Sequence, residues 1–178
     1  DAGVFGSTPL SLVGEGDQTL TGGGGVTHLN ISKPSGDVLL PTNFTLSWNG
    51  GLSGGGRIRS TGGTLIIGYG DNQPYTSDFS GTVDRLELNM GDTGDLSLAQ
   101  DLNVGESLKV SRVRFLHAPG WIRVSGDVTS EDVGIFGASY ISLVGSGDQQ
   151  LLGTGRLANF DIAKPSGDVL MSTFDRNF

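Results

Sequence analysis

Three glycine-rich acidic pentapeptides are the first candidates for chemistry: Gly14-Glu15-Gly16-Asp17-Gln18, Gly68-Tyr69-Gly70-Asp71-Asn72 and Gly145-Ser146-Gly147-Asp148-Gln149. Glycine lets the backbone fold back on itself, and a carboxylate on such a turn can ligate a hard cation. Asp17, Asp71 and Asp148 are therefore the calcium candidates. Calcium-binding nonapeptide arrays, however, repeat every nine residues so that successive turns share one ion. These copies lie tens of residues apart, so the spacing favours glycine-permitted turns in which Asp or Asn caps its own backbone. A second group is basic: Arg57, Arg59, Arg112, Arg114 and Arg123, with Trp121 and Tyr69 close in sequence. Guanidinium forks and aromatic rings could form a platform for sugars or anionic polymers. The competing expectation is a set of outward residues on strands whose apolar partners are Ile58, Val113 and Ile122.

Asp37, Asp95 and Asp168 recur at matching turn positions. Two carboxylates in a cleft could share acid–base work, but a catalytic site interrupts a repeat, whereas these follow it. The only histidines are His28 and His117, and His28 becomes Asn159 in the second copy of its segment. Neither pattern specifies a zinc site or a catalytic triad. Lys33-Pro34-Ser35-Gly36-Asp37 and Lys164-Pro165-Ser166-Gly167-Asp168 read as tight turns with the lysine at a solvated corner. Asn30-Ile31-Ser32 and Asn43-Phe44-Thr45 match the N-glycosylation pattern. We therefore expect no catalytic residue, no cofactor and no enzyme activity.

The elements that carry these residues are repeats. Residues 4–42 and 135–173 align without a gap at an offset of 131 positions, with roughly half of the residues identical. The shared core is SLVGxGDQ followed by KPSGDVL. Long-period self-similarity marks a repeat architecture. The expected organisation is a first long unit over 1–134, with sub-repeats about 4–60 and 61–134, and a truncated second copy over 135–178 continuous with it. The sub-repeats rest on weaker echoes: 26–48 resembles 83–105, and 55–65 resembles 119–129. The second copy stops soon after KPSGDVLMST, which reads as a segment of a longer array.

Apolar residues alternate with polar ones in runs of about three to six, bounded by Gly, Asp, Asn, Ser and Pro, as in Leu29/Ile31, Leu65/Ile67, Leu86/Leu88 and Ile122/Val124. No helical stripe extends beyond two turns. The 31 glycines far exceed the average share, and they punctuate short strands. The expected fold class is all-β, a parallel β-solenoid built from nested repeats, with tandem β-sandwiches as the alternative. Very short strands and unequal sub-repeats favour the solenoid, because a coil accommodates an insertion as a corner loop. The expected core comprises Val4, Leu12, Leu29, Ile31, Val38 and Leu40. Their copies Ile135, Leu143, Phe160, Ile162, Val169 and Met171 complete it.

The chain has 178 residues, no cysteine and a net charge of −8. Disulfide staples and thiolate metal sites are excluded. An acidic chain disfavours nucleic acid and anionic lipid, and no apolar run is long enough to insert into a membrane.

The pattern LxGxGxQxLxGxxxxxxLxIxKPSGxVxL is carried by Gly14 to Leu20, Leu29-Asn30-Ile31 and Gly36 to Leu40. It recurs in Gly145 to Leu151, Phe160-Asp161-Ile162 and Gly167 to Met171. It resembles the β-strand repeats of large bacterial surface adhesins, the filamentous-haemagglutinin-like and Bacteroidetes-type repeat proteins. The resemblance implies a stalk, fibre or adhesive scaffold at the bacterial cell surface or outside the cell. Its partners would be neighbouring repeats of the same protein, with self-association or surface glycans as further partners. A carbohydrate-active β-helix enzyme (a polysaccharide lyase or hydrolase) and a self-assembling extracellular filament subunit are the alternative expectations.

Overall fold

The computed structural model describes residues 3–4, 9–22, 24–46, 52–60, 62–68, 75–77, 80–90, 94–117, 119–135, 140–157 and 160–172. Among them there is no helix; the strands pair parallel throughout and stack as a β-solenoid. Each coil visits three faces in order. The first face holds Leu10–Val13, Leu29–Ser32 and Leu52–Ser53, then Tyr75–Ser77, Asp95–Leu98 and Phe115–His117. The second face begins with Gln18–Thr19, Asp37–Leu40 and Arg57–Ser60. It continues through the starts of Ser80–Asn89 and Leu102–Val113 to Ile122–Val124, Ile141–Leu143 and Phe160–Ile162. The third face begins at Gly3–Val4, Gly24–Val26, Phe44–Leu46 and Thr64–Ile67. It includes the later halves of the two long strands, then Asp127–Ile135, Gln149–Gly153 and Val169–Met171. The two long strands turn the corner without a break, which joins the second and third faces into one 15-stranded sheet.

Period-two alternation generates the core directly. In Arg57–Ser60 the arginines are exposed while Ile58 and Ser60 are buried. On the third face Phe44, Leu65, Leu86, Leu108, Val128 and Leu151 pair in register as one buried column. Burying each such side chain contributes about 1.5–3 kcal/mol, and it can do so only against the coils above and below. The partners anticipated for the arginines, Ile58, Val113 and Ile122, are all buried.

A residue and its partner on the next coil are separated by 19 positions at Ile122↔Ile141 and by 23 at Ile58↔Gly81. Register shifts at Val83/Arg85, Leu88/Asn89 and Val110/Arg112 absorb some of this variation. Strand Asp127–Ile135 pairs with the coils on both sides of it, so the sheet passes without interruption from one copy of the long repeat into the next.

The long repeat is out of phase with the coil. Six steps along the second face lead from Gln18 through Val38, Ile58, Gly81, Leu102 and Ile122 to Ile141. Gln149, the copy of Gln18, lies one corner further on, on the third face. Equivalent segments thus occupy different faces: Leu29–Ser32 is on the first and Phe160–Ile162 on the second.

Of the expected core, Leu29, Ile31, Val38, Leu40 and Leu143 are buried, while Leu12, Phe160 and Val169 are half-buried. The side chains of Val4 and Ile135 lie outside the described residues. Ile162 and Met171 are 54% and 61% exposed, contrary to expectation. They sit on the last described coil, and among the described residues no strand pairs beyond it, whereas Ile31 and Leu40 lie under the next coil at Gly54, Gly56 and Ser60.

Candidate functional site

The repeated motif forms a clasp between consecutive coils. The GEGD corner leaves the first face at Val13 and enters the second at Gln18; one coil later the KPSG corner does the same between Ser32 and Asp37. Lys33 turns back to the earlier corner, and its Nζ donates to the Gly14 carbonyl at 3.2 Å and to Gln18 Oε1 at 3.1 Å. The Asp37 amide donates to Asp17 Oδ1 at 2.9 Å. The second copy repeats this geometry one face further round. Lys164 Nζ donates to the carbonyls of Gly145 and Gly147 at 3.0 and 2.7 Å and to Gln149 Oε1 at 2.7 Å. The Asp168 amide donates to Asp148 Oδ1 at 2.9 Å.

Gln149 is the hub of the second clasp. It is fully buried, and its Oε1 also accepts the Gly145 amide at 3.2 Å. Its Nε2 donates to the carbonyls of Val124 and Gly126 on the preceding coil. One side chain therefore ties three coils together. A buried amide is stable only when all its polar atoms are partnered, and Gln149 meets that condition.

The glycines have a steric reason. Gly36 has φ +80°, and a Cβ there would lie 2.2 Å from Gly16 backbone atoms. Gly167 has φ +78°, and its Cβ would lie 2.6 Å from Gly147. The two corners stack backbone on backbone.

Asp17 and Asp148, read from sequence as weak calcium candidates, thus accept backbone amides from the next coil rather than capping their own turns. Asp71 lies outside the described residues. Among the described residues no group of three or more His, Asp or Glu side chains converges as a metal site. The lysine of KPSGD departs from the expected solvated corner: Lys33 is 8% exposed, because its stem runs along the preceding coil to reach the carbonyls.

The platform residues do not form one cluster. Arg57 and Arg59 lie on the second face near the first clasp. Arg57 Nε pairs with Asp37 at 3.4 Å, and Arg59 spans Asp17 at 3.4 Å and Asp37 at 3.7 Å. Arg112 and Arg114 lie where Leu102–Val113 ends, and Arg114 makes a two-pronged bond to Asp95 at 3.1 Å on each arm. Arg123 is on the second face, three rungs from Arg59 through Thr82 and Asn103, a separation of about 14 Å at ~4.8 Å per rung.

Arg123 Nε bonds Asp101 Oδ2 at 2.7 Å, and Asp101 Oδ1 accepts the Trp121 amide at 2.9 Å. Burial pushes the Asp101 carboxyl up. The Arg123 hydrogen bond, the Trp121 amide and the Arg123 charge together outweigh that and hold the group below its ordinary value. Arg85–Glu106 at 2.7 Å and Lys109–Glu131 at 3.0 Å add further bridges between coils. The hydrogen bond to Glu131 raises the Lys109 pKa against a smaller opposing effect of burial, and the charges of Glu131 and Glu87 add to the rise.

Sequence reasoning missed two groups. The glutamine after each Asp was read only as part of the repeat, although its identity in both copies was the available signal. Tyr140, which meets Trp121 edge to face at 5.4 Å, carries no sequence signal, because only the coil stacking brings the two together.

The fold and the clasp define the class as a three-faced parallel β-solenoid with polar locks between coils. Comparison of the chain with protein-family models, with curated proteins and with solved structures gives no match.

Proposed function

We propose that this chain is a structural segment of an exported, repetitive surface protein, acting as a stiff stalk or adhesive scaffold outside the cell. The observation that carries this reading is the Lys–Gln–Asp clasp. The motif the sequence keeps in both copies is spent on joining coil to coil, at the same residue spacing and on two different faces. A motif kept for recognition would be tied to one face; a motif kept for stacking works at any corner. Parallel coils joined by buried polar locks and by ion pairs along their outer faces resist bending. The scaffold's primary contacts are its own neighbouring repeats.

The test uses arrays of one, two and three 131-residue periods. Each period advances six turns and one face, about 30 Å at ~4.8 Å per rung. Denaturation midpoints should rise with period number, because every added period supplies a stacking interface, and solution scattering should show a rod lengthening by that step. Equal stability for one period and three, with flexible joints between them, would overturn the proposal in favour of independent beads.

A further inference from the structure

Trp121 and Tyr140 stand at equivalent points of consecutive coils, each one residue before the buried isoleucine that begins its second-face strand, Ile122 or Ile141. Their rings meet at 84° with centroids 5.4 Å apart; both residues are half-buried, and Tyr140 also packs against the buried core. An edge-to-face pair at a surface forms a corner in which the face of one ring is bounded by the other ring. The row that adjoins it in register is Asn103, Arg123, Ser142 and Asp161, in which Ser142 is buried and the other three reach solvent. Amide, guanidinium, hydroxyl and carboxylate thus follow one another at ~4.8 Å intervals along the solenoid axis.

The corner is built and held. Asp101 fixes the Trp121 backbone amide through one carboxylate oxygen and the Arg123 guanidinium through the other, at 2.9 and 2.7 Å. Ser142, itself fully buried, donates its hydroxyl to Asp161 Oδ2 at 3.0 Å and anchors that carboxylate. An aromatic surface with a few oriented polar groups beside it is the composition of a small-molecule subsite. A pyranose ring presents the complementary surface: an apolar C–H face for the aromatic ring and a rim of hydroxyls for donors and acceptors.

Charge selects the type of saccharide. The patch holds two carboxylates, Asp101 and Asp161, to one guanidinium, and that guanidinium is already engaged by Asp101. The whole chain carries −8. An anionic polymer would meet net repulsion.

We propose that the Trp121–Tyr140 corner binds a neutral saccharide chain, one sugar stacked on the exposed aromatic face and its hydroxyls bonded along the Asn103–Arg123–Asp161 row. This deepens the adhesive part of the function proposed above. It is read on the single folded chain, so its failure would leave the stalk untouched, and the failure of stiffness in arrays would leave the site untouched.

The probe set is neutral hexasaccharides of glucose, mannose and galactose, with oligogalacturonate as the anionic control. In a Trp48→Phe background Trp121 is the sole tryptophan. A saturable change in its emission with at least one neutral hexasaccharide, and none with oligogalacturonate, is expected. By calorimetry, Trp121→Ala, Tyr140→Ala and Asp161→Ala should each weaken that binding at least tenfold while circular dichroism keeps the parent's folded signature at the assay temperature. If Trp121→Ala loses its fold, Tyr140→Ala and Asp161→Ala decide the matter. No saturable response to any neutral hexasaccharide at 10 mM, a preference for the anionic control, or full binding by the folded variants overturns the assignment.

Discussion

Replacing Gln149 by alanine separates the clasp from ordinary surface hydrogen bonding. Gln149 is fully buried and makes five hydrogen bonds: two donated from Nε2 to the preceding coil, two accepted by Oε1, and one donated by its backbone amide to the next coil. Truncation keeps the backbone bond from the Gln149 amide to the Asp168 carbonyl but strands the Gly145 amide, while the Val124 carbonyl loses one of two donors and keeps the Val144 amide. It also removes one of three acceptors of Lys164. A buried orphan costs about 1–3 kcal/mol and a lost bond to a charged group about 1.5–3 kcal/mol. The Lys164 loss is softened by the two carbonyls that remain, so the total comes to about 2–4 kcal/mol. With a urea m-value of about 2 kcal/mol/M, the midpoint should fall by about 1–2 M. Gln18→Ala is the internal control. Gln18 has the same position in the motif but is half-buried on the first clasp, where its side chain bonds Lys33, and its removal should cost about 1 kcal/mol. Urea titration followed by circular dichroism reads both. Equal midpoint shifts for the two variants, or a shift below ~0.5 M for Gln149→Ala, would refute the reasoning that the clasp gains its strength from burial between three coils.

Two further outcomes follow from the geometry. Gly167→Ala should lower the denaturation midpoint well below that of Gly147→Ala, since a Cβ at Gly167 meets backbone at 2.6 Å with φ +78°, whereas one at Gly147 meets nothing within 4 Å; similar midpoints would mean that the corners do not stack closely. The Asp101 carboxyl lies lower in the folded chain than its ordinary 3.8, so its bonds contribute stability above that pH, and the contribution is lost as pH falls through the folded value. The midpoint difference between the parent and Asp101→Asn should therefore be present at pH 6 and shrink in acid below pH 3.8; a difference that grows on acidification contradicts the assigned direction.

The fold was legible because its physics is local. Alternation such as Arg57-Ile58-Arg59-Ser60 dictates which side chain faces in, and glycine at Gly36 or Gly167 dictates where the chain turns. Neither needs knowledge of distant residues, so the solenoid and most of its core could be read directly. The site was only half legible. Asp17 and Asp148 were visible as turn residues, but each accepts an amide 20 positions away, at Asp37 and Asp168. That partner depends on the coil length. Lys33 looked like a solvated corner because sequence position says nothing about a side chain folding back over the previous coil. The arginines were visible as a concentration along the chain, yet Arg59 and Arg123 fall three rungs apart and each pairs with its own aspartate. The echo between 26–48 and 83–105 shows the same divide. Leu40 lies on the second face and its counterpart Leu98 on the first, while Ile58 and Ile122, from the other echo, share the second.

The sequence by itself determined the strands, the turns and the identity of the repeated motif, because period-two burial and positive-φ glycines act within a few residues. The tertiary structure decided the phase: how many residues make one coil, and hence which corner each motif reaches and which residues become neighbours. A coil of 19 to 23 residues does not divide the 131-residue repeat evenly. The clasp therefore moves one face per copy, and Trp121 meets Tyr140 on the outside of the solenoid.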